Sequence, residues 1–300
     1  MWKPILISLL LCCSIGAKAQ SNESAIPRIP FELTEYNNLL MKVVLNDVDT
    51  LDLMFHSAAD AVHLTEAATR RLHLKFERVD QVKSWGGDVN ASRFSPSNRI
   101  QLGDLQFENV PIWEDQNSGQ HSDGKFGINL FDGKVIQIDF DRSVLLLPQQ
   151  LPADIDSYVK HRLLSENGYL FIEATAVIGA QELSNKYLIH SGYAAAVLFD
   201  DVFVEAFGIA DKLTIVDESE LKDSFGNVLK TQRAILPQLT IGPIVLNQLP
   251  VSFFSGAVNR QKMSVIGGDF LKRFQIVIDS KREYIYLKPN SLTALPYLAI

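Results

Sequence analysis

The 300 residues carry 28 Lys and Arg against 35 Asp and Glu, a net charge of −7, and 47% of them are hydrophobic. That acidic balance argues against a nucleic-acid partner. No run of about 18 apolar residues marks a membrane span after the first stretch of the chain.

That first stretch has the form of an export signal: Lys3 gives a short basic start, 4–16 an apolar run, and Ala17-Lys18-Ala19 a small-residue cleavage site. Residues 1–19 are therefore expected to be removed, and the protein to be exported to the periplasm or beyond. Both cysteines, Cys12 and Cys13, fall inside the signal, so the mature chain is expected to hold together by packing without disulfides. Loss of Lys3 and Lys18 leaves 26 basic against 35 acidic residues, a net charge of about −9.

Beyond the signal, alternating apolar residues and closely spaced turn residues predict a mainly β protein with short helices. Strands at 41–45 and 51–55 flank the polar turn Asn46-Asp47-Val48-Asp49 and predict a hairpin whose second strand ends at His56. Thr65 then caps a predicted short helix over 66–72, with Glu66 at its start and Arg70 and Arg71 near its end. Between this helix and the next strand lies Trp85-Gly86-Gly87, whose glycines suit a hairpin tip and whose indole offers either a flat contact surface or an ordinary packed ring.

The series then repeats in order. Tyr187-Leu188-Ile189-His190-Ser191-Gly192 answers Met54-Phe55-His56-Ser57-Ala58, and Leu239-Thr240-Ile241-Gly242 answers Ile100-Gln101-Leu102-Gly103. Gln248-Leu249-Pro250-Val251 answers Asn109-Val110-Pro111-Ile112, and Val265-Ile266-Gly267 answers Lys125-Phe126-Gly127. The segments 136–139 and 143–148 recur as 276–279 and 284–289. So many matches in one order predict two homologous lobes. Their boundaries are set at 20–150 and 169–300, with a joining segment 151–168 in which 154–164 suits a short helix. Asp223-Ser224-Phe225-Gly226-Asn227 is the second lobe's counterpart of the turn at Trp85.

The apolar strand running into a three-residue turn, followed later in each lobe by an apolar-Gly step, resembles the aspartic peptidase superfamily in its bilobal, pepsin-like or fused retropepsin-like form. It is most similar to the exported aspartyl-protease-like proteins of bacteria. The resemblance spans about Pro30 to Pro289 and implies two β-barrel-like lobes with a cleft between them. In that family each lobe supplies an Asp-Thr/Ser-Gly turn, and the two Asp share a proton because like charges so close cannot both ionise. Carried onto this chain, Ser57, Ser191 and Gly192 keep the family's residues, while His56, His190 and Ala58 depart from it. Asp52 and Asp60, each four residues from His56, do not restore the pattern. Trp85, Gly86 and Gly87 fall where the family has a flap over its substrate.

Two imidazoles in place of two carboxylates leave a site that is neutral or cationic at mildly acid pH, unsuited to acid proteolysis. The reading favoured by the residues is an inactive homologue that binds an extended peptide or protein segment in its cleft, as a monomer without cofactor or metal. The alternative is an active hydrolase in which His56 and His190 act as general bases or metal ligands. A metal would need further ligands, and His63, His73, His121 and His161 show no ligand spacing.

Overall fold

Every second residue of Leu39–Leu45 is buried: Leu39, Met41, Val43 and Leu45 face inward, each no more than 2% exposed. This two-residue period is what a strand with one face on a core requires. The computed structural model describes residues 26–83, 89–222, 228–254 and 261–298, so the export signal expected at 1–19 lies outside the described residues.

Leu39–Leu45 and Asp49–His56 form the predicted hairpin, with Leu39 opposite Phe55 and Leu45 opposite Asp49. Its turn holds Asn46 and Asp47 at φ of 50° and 62°, the left-handed region that Asn and Asp tolerate best among residues with a side chain. In the N-terminal lobe the sheet runs Glu32–Leu33, Leu39–Leu45, Asp49–His56, Gly124–Gly127, Val62–Thr65, Leu105–Asp115, Val89–Leu102 and Arg78–Lys83. Leu39–Leu45 also pairs with Val89–Leu102, which closes six of these strands into a barrel.

The C-terminal lobe repeats that order strand for strand: Leu164–Glu166, Tyr169–Ile178, Gln181–His190, Ser264–Gly267, Val197–Leu198, Ile244–Phe254, Val228–Ile241 and Ile215–Lys222. Pairing of Tyr169–Ile178 with Val228–Ile241 closes the second six-strand barrel. The duplication extends to backbone conformation. Gly103 and Gly242 turn their hairpins at φ of 59° and 53°, and Asn109 and Gln248, at matching points of the next strand, take φ of 56° and 53°.

Between the lobes lies a third sheet ordered Arg28–Pro30, Val144–Leu146, Ile136–Asp139, Phe274–Ile278, Tyr284–Pro289 and Val159–Arg162. Ile136 pairs with Ile278 and Ile138 with Ile276, so the pseudo-twofold relation passes beside Gln137 and Val277. One hydrophobic cluster runs from Leu53, Leu64 and Ile112 through Ile138 and Ile276 to Ile189, Leu236 and Val251.

Two helix predictions are corrected. The run 66–72 forms α-helix only over Glu66–Thr69, capped as expected by Thr65, whose Oγ1 accepts the Ala68 N–H at 3.1 Å. The turn after it tightens because Arg71 and Leu72 donate to Ala68 and Thr69, three residues back. Over 154–164 there is only a 3-10 turn, Ile155–Ser157, followed by the strands Val159–Arg162 and Leu164–Glu166. Those strands satisfy their backbone against Tyr284–Pro289 and Tyr169–Ile178, and Asn167-Gly168, both at positive φ, turn the second hairpin. Among the described residues, no helix is long and apolar enough to cross a membrane.

Candidate functional site

His56 and His190 are the last residues of equivalent strands, each beside a parallel strand that ends in glycine: His56 opposite Gly127 and His190 opposite Gly267. The two rings meet edge to face, with centroids 4.5 Å apart and planes at 61°. Each is followed by a tight turn in which the histidine carbonyl accepts the N–H three residues on, from Ala59 at 2.9 Å and from Tyr193 at 3.0 Å.

The serines behind the histidines tie the lobes together. Ser57 N–H donates to Ser191 Oγ and Ser191 N–H donates to Ser57 Oγ, both at 2.9 Å. Ser57 Oγ in turn donates to Ile189 O, and Ser191 Oγ to Phe55 O, both at 2.7 Å. Four hydrogen bonds therefore cross the lobe boundary between fully buried groups. Two further links surround them: Asn37 Nδ2 donates to Ala194 O at 2.8 Å and Asn38 Nδ2 to Ser191 O at 3.2 Å. Lys272 Nζ holds Asn37 Oδ1 at 2.8 Å and the fully buried Asp269 at 2.8 Å.

The glycine of the second turn is required by a close approach. A Cβ on Gly192 would lie 2.3 Å from His56 Cδ2 and 2.5 Å from its Nε2, so the bare backbone carries the imidazole directly. Ala58, at the matching point of the first turn, is not among the residues with positive φ and packs its methyl against a cluster of Phe171, Leu188, Leu198, Phe254 and Val265. Gly192→Ala is therefore expected to push the His56 ring aside and to cost about 1–3 kcal/mol. Ala58→Gly is expected to cost about 1 kcal/mol or less. Thermal unfolding of the two variants distinguishes the positions.

Both imidazole Nδ1 atoms are buried without a hydrogen-bond partner. Burial lowers the pKa of His190 to about 4. His56 is pushed well below the usual histidine value, first by burial and then by His190, Lys125 and His63. At pH 7 the protonated fraction of a group with a pKa near 4 is only about one part in a thousand. The pair is thus held neutral, where two carboxylates would share a proton and a negative charge.

A second polar cluster stands beside the pair, in the N-terminal lobe alone. Asp115 accepts from His63 Nδ1 at 3.1 Å through Oδ1 and from Lys125 Nζ at 2.7 Å through Oδ2, and Asp60 lies 3.9 Å from His63 Nε2. Burial would raise the Asp115 carboxyl, but the His63 hydrogen bond and the Lys125 charge outweigh it and hold the group below the usual range. Burial likewise opposes the His63 cation, yet the bonds to Asp115 and Asp60 raise its pKa. The sequence reading missed this cluster, Asn37 and Asn38.

His63 also stacks on Trp113, whose indole N–H donates to Asp80 at 3.3 Å and whose ring meets Phe94 with centroids 4.5 Å apart. Asp80 belongs to Arg78–Lys83, the edge strand of the sheet, which pairs with the first part of Val89–Leu102. The tip residues Trp85, Gly86 and Gly87, and the second-lobe turn 223–227, lie outside the described residues.

None of the four histidines considered as further metal ligands joins the pair. His63 is bound to Asp115, His121 is 74% exposed beside Glu35, His161 packs against Gly242, and His73 is exposed. Among the described residues, no group of three or more His, Cys, Asp or Glu could hold a metal ion.

Comparison with solved structures returns the crystal structure of an aspartic proteinase from Irpex lacteus, with a TM-score of 0.61 over 90% of this chain and 99% of that one, at 13% identity. The fold is that of the aspartic proteinases. No protein-family model and no curated protein matches the chain. The two closed barrels, the strand order and the shared sheet thus make a bilobal, pepsin-like aspartic proteinase fold. At this level of identity the match speaks for the architecture alone.

Proposed function

We propose that this chain is an exported, catalytically inactive relative of the aspartic peptidases that binds an extended peptide segment in the cleft between its lobes. The observation that carries the reading is the meeting of His56 and His190, centroids 4.5 Å apart, at the tips of equivalent strands from the two barrels. Peptide hydrolysis by this fold needs one group to take a proton from water and another to give one to the leaving nitrogen. Two neutral imidazoles, one with a pKa near 4, offer little acid at pH 7 and only a weak base. Binding makes no such demand. Main-chain hydrogen bonds from the walls of a cleft hold an extended strand whatever groups stand on its floor. The leader-like sequence at 1–19 supports export.

Assay of the purified protein against a mixed peptide library from about pH 3 to 8 tests this. The expected result is retention of extended peptides without cleavage at any pH. Turnover that disappears in His56→Ala would overturn the proposal in favour of imidazole-based hydrolysis. The paired change His56→Asp with His190→Asp is expected to give measurable cleavage near pH 4, at least tenfold above the unmodified protein.

A further inference from the structure

The duplication allows the two walls of the cleft to be compared residue for residue. In the N-terminal lobe Met54 pairs with Lys125, Lys125 with His63, and Thr65 with Asp115. In the C-terminal lobe Leu188 pairs with Val265, Val265 with Leu198, and Val197 with Val251. Lys125, His63 and Asp115 therefore occupy the stations held in the other lobe by Val265, Leu198 and Phe254.

Paired residues share a sheet face, so Lys125 and His63 stand on the face that carries His56. Val265 and Leu198 stand on the face that carries His190. In the C-terminal lobe these residues, with Leu188 and Phe171, form a closed apolar cluster on which Ala58 and Tyr193, from the turns after the two histidines, are packed. In the N-terminal lobe the same place holds charge. Lys125 stands two residues before Gly127, the strand partner of His56, which places it beside the cleft floor.

Three ionisable groups stand where the sister lobe buries apolar ones, and the cost of desolvating them is offset only by their pairing with one another. The network shows which sign it offers. Asp115 is 5% exposed and both its oxygens are engaged, while its cations His63 and Lys125 are 18% and 12% exposed. The anion is thus covered and the cations form the outer end. Asp60, 82% exposed, is the opposing charge at the rim, where water screens it.

We infer that the cleft is asymmetric in what it recognises, seating an acidic side chain of the bound segment against Lys125 and His63, where the sister lobe has only its closed apolar cluster. This rests on the peptide-binding reading above and names the chemistry of its ligand.

The test is fluorescence anisotropy with labelled extended peptides in which Glu, Gln, Lys and Leu are placed in turn at each position, read with the full chain and its variants. The expected result is one position at which Glu binds at least tenfold better than Gln or Lys, an advantage that falls as salt is raised. Lys125→Met is expected to remove the Glu advantage while leaving affinity for the Leu-containing peptide within about twofold. Because that change leaves Asp115 short of a partner, Lys125→Met with Asp115→Leu provides a variant closer to the apolar wall of the sister lobe. It should lose the Glu preference in the same way. Equal binding of Glu and Gln at every position, with peptides still bound, would overturn the asymmetry and spare the cleft reading. Absence of binding by all peptides would overturn both.

Discussion

Ser57→Ala is expected to destabilise the protein by about 3 kcal/mol, and Ser191→Ala by a similar amount. Each hydroxyl serves two backbone groups of the opposite lobe. Without the Ser57 hydroxyl, the Ser191 N–H loses its acceptor and Ile189 O its donor. Without the Ser191 hydroxyl, the Ser57 N–H and Phe55 O are stranded. Ser57 and Ser191 are only 5% and 3% exposed, so water does not replace what is lost. An orphaned buried group costs about 1–3 kcal/mol, and each variant creates two. For a chain of this size the melting temperature should fall by roughly 5 °C or more. The combined variant is expected to lose less than the sum, because lobes loosened by the first change let water reach the remaining groups. The control is Ser184→Ala, which removes an exposed Thr175–Ser184 bond and should stay within about 0.5 kcal/mol. A similar small effect at Ser57 would show that the crossed bonds do not hold the lobes together.

The architecture was legible because the chain states it twice. Hairpin, glycine turns and apolar-Gly step recur in order, and the equivalent segments occupy equivalent strands of the two barrels. The stretch 154–164 misled because periodicity over so short a run cannot separate a helix from a strand whose partner lies more than a hundred residues away. Val159–Arg162 finds its partner in Tyr284–Pro289. Asn167-Gly168 carried the hairpin signal that would have corrected it. The cluster of His63, Asp115 and Lys125 was hidden for a similar reason, since its members come from three strands joined only in the sheet. Yet one trace of it stood in the repeat. Lys125-Phe126-Gly127 set against Val265-Ile266-Gly267 places a charge where its twin has an apolar residue. A mismatch at a matched station of a duplicated fold, on the sheet face that carries the histidines, marks where the two halves differ in chemistry.

Acid should weaken this protein through its central pair, the reverse of what a shared-proton carboxylate pair would do. The pKa of His190 falls from near 6.5 in an unfolded chain to about 4 in the folded one. That of His56 moves in the same direction, with burial the main cause in both. A base whose folded pKa is depressed binds fewer protons folded than unfolded between those values. Its contribution is therefore fully present above about 6.5 and is lost as pH falls towards 4. For His190 alone the loss by pH 4.5 is about 2–3 kcal/mol, and His56 adds to it. His63 acts the other way, because its raised pKa favours the folded state below 6.5 and that gain is lost as pH rises through the folded value. Denaturant unfolding at pH 7 and pH 4.5 should thus show a less stable protein at the lower pH. Changing His56→Asn and His190→Asn should remove most of the difference. With His56→Asp and His190→Asp the slope should change sign, since two carboxylates in contact raise one pKa and the folded state then holds the extra proton. If the paired Asn variant kept the full acid sensitivity, the imidazoles would not be its source, and the neutral floor assigned to the cleft would have to be abandoned.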